Sequence, residues 1–225
     1  MQKLRALLLP IFVLLAMPAA AETVIHETIE EFVTVEQAGS ERFVQSAEPA
    51  LVPQGIARFG PFRVLDGTRA ALVDVTDEAS ATQFSAMLRA YPGISMLEMI
   101  DCPGTEDDRA NLAIGRMIRA RGIATHVPSG GSVRSGGVEL FLAGSRRIAD
   151  PGAEFAVHSW MDEDGLEAGD YPADAPENRA YTDYYREMGL NAAEAASFYA
   201  MTNSVPNAEA RYLSAEDMGR WVRLD

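Results

Sequence analysis

Gly130-Gly131-Ser132-Val133-Arg134-Ser135-Gly136-Gly137-Val138-Glu139-Leu140-Phe141-Leu142-Ala143-Gly144, followed by Pro151-Gly152-Ala153-Glu154-Phe155-Ala156-Val157-His158, is the stretch on which the reading of this chain turns. Two glycine pairs bracket a serine, and the apolar run after it predicts a helix from Ser135 to Ala143. Ala153 to Ser159 then reads as a strand carrying His158 near its end, where α/β proteins place their working groups. A hydroxyl at a helix start feels the positive end of the helix dipole, and the amide of Gly136 can face a developing oxyanion. The same serine could simply cap the helix. The elbow G-x-S-x-G is absent, because position 133 is Val.

Outward from this stretch the chain alternates strand and helix. Ala70 to Val75 and Ile94 to Ile100 read as buried strands. Ala81 to Ala90 reads as an amphipathic helix with Phe84, Met87 and Leu88 on one stripe. Asp107 to Arg121 is a second helix ended by Gly122, and strands follow at Ile123–Val127 and Arg146–Ala149. The acidic segment from Asp162 to Asp174 reads as an exposed loop, followed by helices at Pro176–Met188 and Ala192–Met201. Ser214 to Asp217 opens a short last helix with a near-capping-box pattern. Alternation of this kind predicts an α/β domain with a largely parallel sheet.

The 225 residues, 48% hydrophobic and 23% charged, suit one such domain. At the amino end, Lys3 and Arg5 precede an apolar run from Ala6 to Ala16 and the small residues Ala19-Ala20-Ala21. This order predicts a signal peptide over residues 1–21, cleaved after Ala21. Ala6 to Ala21 is short for a membrane anchor and contains Pro10 and Pro18. The expected product is a periplasmic or secreted bacterial protein with no membrane span after processing. Residues 22–60 read as an arm, with an edge strand at Thr28–Glu36, and residues 61–225 as the domain.

Charge and inventory exclude much. Acids outnumber bases 33 to 19, a net −14 that disfavours nucleic acid. Lys3 is the only lysine and falls in the segment expected to be removed, which excludes Ser–Lys dyads, PLP enzymes and P-loop NTPases. Cys102 alone builds neither a disulfide framework nor a zinc site, and reads as an inert thiol. His26 lies in the arm and His126 mid-strand, where structural roles are expected. No H-E-x-x-H motif or carboxylate cluster appears, so no metal and no cofactor is expected.

The ordered set Gly130-Gly131, Ser135, Phe141-Leu142-Ala143-Gly144, Arg146-Arg147-Ile148, Pro151-Gly152-Ala153 and His158 resembles the core of the ClpP-like serine peptidases. Ile100-Asp101-Cys102-Pro103-Gly104 is similar to that group's N-S-P-G-G segment, and Arg211-Tyr212-Leu213-Ser214-Ala215-Glu216 to the start of its C-terminal helix. The resemblance implies the ClpP/crotonase fold, a repeated ββα spiral, in an exported member. It implies Ser135 as nucleophile, His158 as general base and an oxyanion hole from the amides of Gly136 and the Gly104–Thr105 loop. The implied activity is ATP-independent cleavage of peptide or protein substrates outside the cytoplasm. Family members stack into rings, so a homo-oligomer with contacts near Asp162–Asp174 is also implied.

Three departures define what to look for. The family's second glycine is Thr105 here, which would be strained if that position needs φ > 0. Arg134 puts a bulky cation beside the nucleophile position. No acid stands at the usual third triad position, leaving Asn203, Asn207 or Glu209. The alternatives are a catalytically silent binding or scaffold protein on the same fold, and a crotonase-type enzyme needing CoA.

Overall fold

The computed structural model describes residues 49–225. The expected signal peptide, the Thr28–Glu36 strand, His26 and the arm as far as residue 48 lie outside the described residues.

The described chain opens with an antiparallel meander, β1 (Ala57–Phe59), β2 (Phe62–Val64) and β3 (Arg69–Leu72). Gly60, at φ 58°, makes the tight turn between β1 and β2. β1 starts slightly ahead of residue 61, where the domain was expected to begin.

A repeating rhythm then sets in. Helix α1 (Ser80–Ala90) leads to β4 (Met96–Met99), β5 (Asp101–Cys102) and α2 (Asp108–Ala120). Next come β6 (Ala124–Val127), β7 (Ser132–Arg134) and α3 (Gly136–Leu142), then β8 (Arg147–Ala149) and β9 (Glu154–Val157). Strands β4, β6 and β8 extend a sheet of order β1-β2-β3-β4-β6-β8, whereas β5, β7 and β9 build a second. Each repeat therefore gives one strand to each sheet and then a helix, which is a ββα spiral. Every pairing inside the spiral is parallel. The expected α/β class with largely parallel sheets is what the chain adopts.

Helices α4 (Pro176–Glu187) and α5 (Ala192–Thr202) follow, and β10 (Arg211–Ser214) pairs antiparallel with β9 before α6 (Ala215–Met218). The core interleaves Leu72, Leu97 and Val127 of the large sheet with Phe84 of α1 and Ile114 of α2, all essentially water-free. Helix α2 starts where Asp107 accepts the Ala110 amide at 2.7 Å.

Five short strands, β1, β2, β5, β7 and β10, are not separable in the sequence. They span two to four residues, too few for an alternating pattern to declare itself. Arg211–Ser214, read as a helix start, is first a strand. Ser214 then caps α6, accepting the Asp217 amide at 3.1 Å while the Asp217 carboxylate accepts the Ser214 amide at 3.2 Å. The Asp162–Asp174 segment is more than a solvated loop. It holds a 3₁₀ turn at Ala168–Asp170, buries Ala168, and is tied to α4 by Asn178, whose amide donates to the carbonyls of Ala168 (3.2 Å) and Pro172 (2.9 Å).

Candidate active site

The second sheet brings Ser135 and His158 to one place. Arg134, the last residue of β7, is the register partner of Ala156 on β9. One step further the Ser135 amide donates to the Ala156 carbonyl at 2.9 Å, and His158 is the first residue after β9. Both side chains therefore leave the ends of neighbouring parallel strands, and both line one small pocket of about 40 Å³.

Ser135 has φ 49° and ψ −127°, and among the described residues it is the one non-glycine with positive φ. An L-residue held there costs on the order of 1–3 kcal/mol. It stands at the N-cap position of α3, yet its hydroxyl makes no capping hydrogen bond. The plain capping role allowed by the sequence is therefore not the one adopted. Ser135 instead lines the pocket, with its Oγ close to the Gly104 backbone.

His158 is half-buried, and its Nδ1 lies 2.8 Å from the Ser159 carbonyl oxygen. A carbonyl only accepts, so the tautomer that uses this contact carries its proton on Nδ1 and has Nε2 as the basic nitrogen. Asn207 donates its Nδ2 to the same carbonyl at 2.8 Å and stands 3.2 Å from Nδ1. Of the three open positions, Asn207 is thus the one brought to the imidazole. Asn203 lines the pocket, but its Oδ1 accepts the Trp160 amide at 3.3 Å. Glu209 lies in the turn after Pro206.

The Gly104–Thr105 loop settles the first departure. The positive φ is at Gly104 (137°) and not at Thr105. Thr105 is put to use: its Oγ1 accepts the Asp107 amide at 3.1 Å and fixes the approach to α2. A Cβ on Gly104 would stand 3.1 Å from the Ser135 Cβ and 3.4 Å from its Oγ, so this backbone passes directly beside the hydroxyl. Gly136 is required for a related reason, because a Cβ there would meet the Thr105 methyl at 2.6 Å. Behind both loops lies a buried pair. The Thr76 amide donates to the Gly104 carbonyl (3.1 Å), the Thr76 hydroxyl donates to Asn111 (3.0 Å), and Asn111 donates to the Gly136 carbonyl (2.7 Å). Pinning the Gly104 carbonyl also sets the Thr105 amide, which points the opposite way across a trans peptide.

Arg134 does not crowd the serine. Strand alternation turns its side chain to the other face of β7, where it donates to Asp101 (2.8 Å) and Ser132 (3.1 Å). His126 bridges Glu98 (2.6 Å) and Asp150 (3.2 Å) on the large sheet, apart from the pocket. Cys102 is buried, and desolvation pushes its thiol up. Among the described residues no group of side chains is arranged to hold a metal ion.

Several residues of the pocket carry no clear signal in the sequence, among them Asp108, Glu139 and Trp160. Glu139, one turn into α3, is buried, and desolvation raises its carboxyl to about 7 while Tyr185 donates to its Oε1 at 2.7 Å. In the sequence it is a lone carboxylate inside the apolar run Val138–Ala143. Trp160 forms a wall, stacked 6.2 Å from Tyr181 and packed 5.4 Å from Tyr171.

No family model matches the chain, and no curated protein does. Among solved structures, a ClpP1 mutant from Listeria monocytogenes superposes with a TM-score of 0.50 at 17% identity, covering 69% of this chain and 87% of that one. The fold is ClpP-like. A mutant of the 1510-N membrane-bound stomatin-specific protease in complex with a substrate peptide is a looser likeness, with a TM-score of 0.45 and 17% identity over 67% of this chain and 72% of that one. At such identity the ClpP-like fold is what is shared, and the chemistry has to be argued from the side chains.

Proposed function

We propose that this ClpP-like chain is a serine hydrolase acting on peptide substrates, with Ser135 as nucleophile and His158 as general base. The observation that carries the reading is the Ser135 backbone. A strained positive-φ serine with no capping bond, sharing a pocket with a histidine whose Nε2 is left basic, has no structural purpose that an ordinary residue would not serve better. In the proposed reaction Ser135 attacks the carbonyl while its proton passes to His158 Nε2. The tetrahedral oxyanion is taken by the amides of Gly136, first in α3 and without an intrahelical acceptor, and of the Gly104–Thr105 loop. His158 returns the proton to the leaving amine, and water then releases the acyl group. Asn207 and the Ser159 carbonyl position the imidazole in place of an acid.

The silent-scaffold alternative drew on Thr105 and on the absent third acid: the positive φ lies at Gly104, which leaves Thr105 unstrained, and at His158 an amide, Asn207, stands where an acid is usual. Hydrolysis of peptide thioesters by the purified chain beginning at Glu22 tests the reading. Turnover should disappear in Ser135→Ala and His158→Ala variants, and turnover retained in Ser135→Ala would reject it. We also place the protein outside the cytoplasm, on the order of charge, apolar run and Ala19-Ala20-Ala21. N-terminal sequencing from the native host should begin at Glu22, and an intact Met1 would contradict export by this route.

A further inference from the structure

The pocket at Ser135 is lined by two carboxylates that the proposed reaction does not use, Asp108 at the start of α2 and Glu139 in α3. Glu139 is 7% exposed and lies one helical turn beyond the serine on the same helix, facing the cavity that Ser135 and His158 also line. Four residues along α3 span about 6 Å, the reach of a four-carbon side-chain stem. The Tyr185 hydroxyl occupies one lone pair of Oε1, and a carboxylate can accept several hydrogen bonds. The cavity, at about 40 Å³, is narrow. It suits an unbranched chain with a compact head better than a planar guanidinium.

The approach to the pocket has the same sign. A groove of about 530 Å³ shares Asp108, Trp160 and Tyr181 with it, and its rim carries Asp162, Glu177 and Asp183. Two arginines also line the groove, Arg116, which is tied to Glu187 at 2.5 Å, and Arg109, so its acidic side chains still outnumber its cations. The apolar floor of this groove, from Leu112 and Met161, would seat neighbouring substrate residues.

We propose that Glu139 is the specificity-determining residue of this site and selects a lysine side chain on the residue whose carbonyl Ser135 attacks. The inference rests on the hydrolase reading above. A buried carboxylate without a cation is costly, and an arriving ammonium supplies the missing partner. A neutral side chain of equal length would fill the pocket but leave that carboxylate unpaired.

Peptide thioesters carrying lysine, norleucine, arginine or glutamate at the attacked residue make the test. Norleucine is the informative comparison, because it keeps the stem and lacks the charge. The wild-type kcat/KM for lysine should exceed that for norleucine at least tenfold. Glu139→Gln, which retains an acceptor for Tyr185, should lower that ratio at least tenfold. A wild-type ratio near one overturns the inference, whatever the variant does, and so does an unchanged ratio in a folded Glu139→Gln. A wild-type protein that hydrolyses none of the thioesters takes down the hydrolase reading and this one with it. Hydrolysis without lysine preference takes down this one alone.

Discussion

At the scale of single residues, the site is built from side chains and backbone that local stability would not choose. Ser135 holds a positive φ, Gly104 does so too with its backbone close against that serine, and Glu139 is a carboxylate inside an apolar helix. Glu139 gives this a pH signature. Burial pushes its carboxyl from 4.5 up to about 7, so between those values the folded chain keeps a proton that the unfolded chain releases. Stability should therefore fall as pH rises from about 4.5 to about 7, and level off above. Glu139→Gln removes this dependence. In urea denaturation the variant should be more stable than wild type at pH 8, by on the order of 3 kcal/mol, with the gap closing near pH 4. A constant difference across pH would show that Glu139 is not buried as described. Some of this was readable in the sequence. Ser135 stood out because glycines flank it at a helix start, and His158 because it ends an apolar strand. Glu139 is not legible there, because a single carboxylate inside an apolar helical run gives no local sign of being buried. The position of the positive φ, at Gly104 and not Thr105, is set by which carbonyl Thr76 holds, a contact 28 residues away that no local pattern encodes.

At the scale of elements, the spiral explains why a serine and a histidine 23 residues apart share a pocket. β7 and β9 are adjacent parallel strands, so their ends meet on one side of the sheet. The longer helices were legible to within a residue or two because their apolar stripes repeat, whereas the strand expected over Ala70–Val75 already ends at Leu72. In the second sheet β9, which leads to His158, was legible, whereas β5, β7 and β10 were not, although β7 leads to Ser135. Packing between helices is equally close. A Cβ on Gly115 in α2 would stand 1.8 Å from the Tyr184 hydroxyl, which donates to the Glu139 carbonyl at 2.7 Å. Helix propensity alone would make Gly115→Ala favourable by about 1 kcal/mol. The clash should win, because forced overpacking costs on the order of 1–3 kcal/mol and Tyr184 must also give up its buried bond. We expect a net loss of about 2 kcal/mol in chemical denaturation, and a stabilised variant would mean that α2 and α4 are further apart than described.

At the scale of the whole molecule, the fold leaves apolar side chains exposed at the start of the described chain, with Leu51 93% and Ile56 67% accessible. We propose on this ground that the processed protein self-associates. Light scattering of the chain from Glu22, about 22 kDa as a monomer, should return a multiple of that mass, and Leu51→Ser with Ile56→Ser should lower it. A monomer at both low and high salt would end the idea. No helix among the described residues is long and apolar enough to cross a membrane.

The central claim, that Ser135 is an activated nucleophile, is tested most directly by a fluorophosphonate probe and mass mapping of the modified protein. A serine made reactive by a neighbouring base takes the phosphonyl group, and unactivated surface serines do not. We predict a single adduct, on Ser135, absent from Ser135→Ala and strongly slowed in His158→Ala. An unmodified protein, or an adduct on any other serine, would contradict the account.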